Sequence, residues 1–113
     1  MENLKDIVNE NIIMAESLNM KKQRAIEMVE SRFNECPAKW KQHTKKFIEN
    51  VKENIEARDK LITELRLMIH SYIYKDEGIN PVKVDFIIKE FQELDDKDAL
   101  AADMYSAIMD EMI

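Results

Sequence analysis

Apolar side chains recur every three or four positions along nearly the whole chain and never in strict alternation, so the pattern predicts helix throughout and no strand. The first stripe is Leu4, Ile7, Val8, Ile12, Met14, Ala15, Leu18, Ala25, Ile26, Met28, Val29 and Phe33. It blurs at Ser17-Leu18-Asn19-Met20, where a break or a change of face is expected. Asn34 is expected to close the segment in a left-handed conformation. A second stripe carries Trp40, Phe47, Ile48, Val51, Ile55, Leu61, Ile62, Leu65, Met68, Ile69 and Tyr72, with no Gly or Pro between residues 38 and 75. Thr44, Asn54 and Arg58 fall on its apolar face, and any kink is expected between Asn50 and Asp59. Asn80-Pro81 reads as an N-cap followed by a first helical residue. Val84, Phe86, Ile87, Ile88, Phe91 and Leu94 then give one short helix with a broad apolar face. Leu94-Asp95-Asp96 reads as the start of another.

The expected fold is all-α: a long antiparallel helical hairpin with a short acidic C-terminal helical pair. The helices are placed at about 3–34, 37–75, 81–94 and 96–112, in one domain of 113 residues. An unbroken second helix would be a rod of about 57 Å. A compact chain of this length has a radius of gyration near 13 Å. The rod therefore needs either the first segment laid flush along it or a second chain, so a self-associating bundle or coiled coil is expected.

Charge divides unevenly along this frame. The formal net charge is −6, yet residues 1–35 carry −2, residues 36–75 carry +4 and residues 76–113 carry −8, by direct count. The acidic pair can dock on its own basic helix, on another copy or on a basic partner, and charge alone does not choose. Lys39, Lys41, Lys45 and Lys46 are the concentrated basic patch and the candidate polyanion contact, with Trp40 and His43 among them. The acidic total disfavours nucleic acid as a partner, and Trp40, in line with Phe47, is expected in the core.

Composition closes off much chemistry. One glycine excludes glycine-rich phosphate and dinucleotide loops, and one cysteine excludes an internal disulfide or a cysteine-based zinc site. His43 and His70 have Trp40 and Leu67 three residues upstream, so the Glu-x-x-His di-metal signature of helical bundles fails. Neither Asp76 nor Asp96 opens a run with the ligand spacing of an EF-hand. Cys36, before a helix start, is an ordinary unpaired thiol with no base or orienting partner in its motif. No catalytic constellation, metal or cofactor is expected, and enzymatic activity is not expected. The acidic start and the longest apolar run, Ile12-Ile13-Met14-Ala15, suggest neither a signal peptide nor a membrane span, which favours a cytoplasmic setting.

What remains is surface. Met104, Tyr105, Ile108, Met109, Met112 and Ile113 spread over more than one face of the last helix and are the candidate partner-binding residues. The expected role is that of a small non-enzymatic interaction protein, a regulator or assembly factor acting on a protein partner, on itself or on both. The alternatives are a nucleic-acid-binding module built on residues 39–46, or a scaffolding component of a larger, phage-like assembly.

Overall fold

The computed structural model describes residues 3–111 and, within them, every side chain except those of Ile108, Met109 and Glu111. Asn3 opens α1 (Leu4–Ser31) by accepting the Lys5 amide on its side chain at 3.0 Å. A 3-10 turn over Phe33–Glu35 and an extended Pro37 lead into α2 (Ala38–Tyr74), 37 residues without interruption. Asn80 caps α3 (Pro81–Glu111) through the Val82 amide at 3.0 Å, with Pro81 as first helical residue. The described residues form three helices and no strand, as the three-to-four-residue period requires.

α1 runs antiparallel along α2, and α3 lies antiparallel along α2 on another side, while α1 and α3 touch each other sparsely. The molecule measures 57 × 20 × 18 Å with a radius of gyration of 17.6 Å. At 1.5 Å per residue α2 alone spans about 55 Å, so one helix sets the long axis and the other two are laid along it.

Two apolar clusters hold the helices. Val8, Ile12 and Ala15 of α1, Ile62 and Leu65 of α2, and Val84, Ile87 and Phe91 of α3 form the larger one. Ile26, Ile48 and Val51 form the smaller one, nearer the α1–α2 turn. Between them lies a polar belt centred on Arg58, 1% exposed. Its Nη1 donates to Asn19 Oδ1 at 2.8 Å, and its Nη2 donates to Asp98 Oδ2 at 2.8 Å and Asp95 Oδ1 at 3.1 Å. Asn54 donates to the other oxygen of Asp98, and Asn19 donates to Asp59, each at 2.8 Å. One guanidinium thus ties α2 to both neighbours at a single level.

Five expectations are corrected here. The acidic pair is one helix: Leu94-Asp95-Asp96 holds no Gly or Pro, Leu94 is buried, and Asp95 and Asp98 reach the same guanidinium only from one helical face, a turn apart. The blur at residues 17–20 is not a break, because Asn19 points inward to the belt; Arg58 and Asn54 likewise join α2 to its neighbours where a kink was expected. Asn34 sits in the 3-10 turn, and the one non-glycine residue with positive φ among the described residues is Asp76, at 54°. From there the Glu77 amide returns to the Ser71 carbonyl at 3.2 Å, and short polar side chains such as Asp tolerate that conformation best. Trp40 is half-buried and belongs to neither cluster. The register that sets Asn19 beside Asp59 carries residue 40 past the end of α1.

Substituting Arg58 by Met should cost about 3–5 kcal/mol, because Asp98 stays buried without its counter-charge. Adding Asp98→Leu to Arg58→Met should recover a substantial part of that loss in urea unfolding.

Candidate functional site

α3 presents two faces of different character. Val84, Ile87, Phe91, Leu94 and Asp98 face α2 and are buried. At whole-turn spacings on the opposite face stand Val82, Phe86, Leu100 and Met104, exposed to 76, 61, 61 and 61%. Exposed Lys89, Glu93, Asp96 and Lys97 fill that face between the two apolar pairs. Single exposed apolar residues are ordinary; pairs one turn apart on a face with no neighbour helix are the candidate contact surface.

Among the expected partner-binding residues, Met104 lies on this outer face. Tyr105 does not: its ring stacks on Phe47 of α2, with centroids 4.4 Å apart and planes 13° apart. Met112 and Ile113 lie outside the described residues, as do the side chains of Ile108 and Met109. Val82, Phe86 and Leu100 were not in the expected set. They share the helical phase of Met104, and reading residues 81–111 as one helix would have found them.

The basic patch does not converge. Lys39 Nζ sits 4.9 Å from the Trp40 ring centre and Lys41 Nζ 5.7 Å from that of Phe33, each covering an aromatic of its own chain. Lys45 lines a groove toward α1 with Glu30 and Lys52, whereas Lys46 lines one toward α3 with Phe47 and Met104. Two exposed cations of α2 pair with α1: Lys52 holds Glu30 at 2.8 Å, and Arg66 holds Glu16. The acidic helix does dock on its own basic rod, and among the described residues Arg58 supplies the ion pairs between them.

Two cavities bear on chemistry. One, of about 410 Å³, lies at the α1–α2 turn between Met28, Val29, Arg32, Phe33, Cys36 and Tyr105. Cys36 Sγ is half-buried there, 3.5 Å from Thr44 Oγ1, and Thr44 donates in turn to the Trp40 carbonyl. Among the described residues the hydrogen-bonding partner of the thiol is the Thr44 hydroxyl, so the geometry fits packing. The other, of about 260 Å³, opens between α1 and α3 with Arg58 at its floor. His43 tilts against Trp40 and His70 against Tyr74, at opposite ends of α2. Among the described residues no group of three or more His, Cys, Asp or Glu side chains could hold a metal ion, and no helix is long and apolar enough to cross a membrane.

Comparison with known proteins finds no matching family, no matching curated relative and no matching solved structure.

Phe47→Ala should loosen the C-terminal half of α3 selectively. Losing the stack and its burial removes about 1–2 kcal/mol, so amide exchange after residue 100 should quicken roughly tenfold. Amides of residues 84–94 should keep their protection.

Proposed function

We propose that this chain is a non-enzymatic interaction protein that works by presenting the outer face of α3 to a protein partner, in a cytoplasmic setting. The observation that carries the reading is the pairing of Val82 with Phe86 and of Leu100 with Met104, all exposed, on the outward arc of α3, with Met104 at its edge toward α2. Apolar contacts at the two ends supply affinity, and the charged centre at Lys89, Glu93, Asp96 and Lys97 supplies orientation. A helix in the partner's groove, read at one-turn intervals, is the recognition mode that fits such a face. The elongated shape favours it too, since a rod offers whole helix faces where a sphere offers patches. The splayed lysines of residues 39–46 speak for protein rather than nucleic acid, because phosphate binding rewards cations gathered along one track.

Leu100→Glu with Met104→Glu tests the reading. Both positions are exposed, so helix content should be unchanged by circular dichroism. A partner captured by the wild type from its native host and then purified should bind the variant at least about tenfold more weakly, a loss of about 1.4 kcal/mol or more. Equal binding by both proteins would refute this face as the contact. In the same preparation, Lys41→Glu with Lys45→Glu should leave partner binding intact.

A further inference from the structure

The two apolar pairs on the outer face of α3 sit in different electrostatic surroundings. Residues 81–92, around Val82 and Phe86, hold two basic and two acidic side chains. Residues 93–111, around Leu100 and Met104, hold one basic and seven acidic side chains, a net of −6. After Lys97 the helix carries no further cation. Of the seven acids, Asp95 and Asp98 are spent on Arg58. Glu93, Asp96, Asp103 and Asp110 are exposed and stand in no ion pair among the described residues. Asp96 lies one turn before Leu100 and Asp103 one turn after it, so carboxylates bracket the exposed leucine.

Among the described residues the chain does not relieve that charge itself. α2 is the basic rod alongside, but its ion pairs with α3 run through Arg58 alone, while Lys52 and Arg66 pair with Glu30 and Glu16 of α1. The field of α3 adds to the excess. The C-terminal end of a helix carries about half a negative charge, and α3 has no basic residue in its last turn. Acids placed there cost the isolated helix stability, and cations supplied by a partner recover it.

Charge and apolar pair together name the occupant. A polyanion or an anionic lipid surface is repelled, and a second copy brings the same net charge of −6. A purely apolar partner would strip water from Asp96 and Asp103 and put nothing in its place. We infer that the partner element seated on Leu100 and Met104 is a basic amphipathic helix, with Lys or Arg flanking its apolar stripe where it meets Asp96 and Asp103. Val82 lies about 33 Å from Met104 along the helix, in neutral surroundings. The partner's cations therefore belong at one end of its stripe, which sets the direction in which it lies. The inference rests on the outer-face reading above and adds the chemistry of what binds there.

Three synthetic helical peptides test it. They share one leucine stripe at three- and four-residue spacing and carry lysine, glutamine or glutamate at every flanking position. Each is titrated into the full chain labelled with nitrogen-15. The lysine peptide should bind at least about tenfold more tightly than the glutamine peptide, with amide shifts centred on residues 96–104. The glutamate peptide should not bind. Asp96→Asn with Asp103→Asn should weaken the lysine peptide about fivefold and flatten its loss of affinity between about 0.05 and 0.5 M salt. Glu10→Gln with Glu64→Gln removes equal charge from exposed positions on α1 and α2 and should leave both unchanged. Equal affinity for the three peptides, binding of none, or equal weakening by the two charge pairs would overturn the basic partner. Loss of binding in Leu100→Ser with Met104→Ser, but not in the Asp96 and Asp103 variant, would keep the outer face and overturn its charge preference. Binding that survives both variants would remove the outer face itself. Concentration-dependent shifts at residues 96–104 in the chain alone would assign the face to a second copy and overturn the inference.

Discussion

A single buried guanidinium decides how these three helices line up. Arg58 has no counterpart among the apolar residues that surround it, and it is tolerated only because Asn19, Asp95 and Asp98 arrive at its level from two other helices. Ile, Leu and Val stripes can slide past one another by a turn at small cost, since any apolar contact resembles the next. A cation that must find two carboxylates and an amide oxygen cannot slide. The belt contributes little net stability against an apolar replacement of the same volume. Its value here is register, and register is what makes a thin open bundle of this length into one structure.

The belt also explains why the molecule is divided. α3 contributes Val84, Ile87 and Phe91 to the larger cluster and nothing buried to the smaller one, where Ile26 meets Ile48 and Val51. Beyond Asp98, among the described side chains, Tyr105 stacks on Phe47 and holds α3 to α2. The proposed contact residues Leu100 and Met104 therefore lie at the end of the rod where that stack anchors α3.

Helix content and the antiparallel hairpin were legible in the sequence, because spacing of apolar residues at helical period is a local signal carried by some eleven positions in α2 alone. The belt was not. Asn19, Asn54 and Arg58 read as defects in their stripes, and Asp95 and Asp98 as a helix start, since each is a poor residue for its place when judged by its own segment. Only the three-dimensional pairing turns five local defects into one hydrogen-bonded group. The exposed face of α3 was half legible: Met104 was found from composition, whereas Val82, Phe86 and Leu100 needed the knowledge that no break falls at Leu94. Tyr105 went the other way, since an aromatic on a terminal helix looks the same whether it awaits a partner or already has one.

The loop between α2 and α3 shows a mismatch of residue and conformation. Its left-handed dihedral falls on Asp76, while Gly78, two positions on, has ordinary backbone angles and open space where a Cβ would stand. Glycine freedom is thus present only in the denatured chain, where it raises entropy, and is not used in the folded one. Replacing it with alanine would stiffen the denatured ensemble and raise stability by about 0.4–1 kcal/mol. The connector that lets α3 fold back along the rod is therefore looser than its geometry demands.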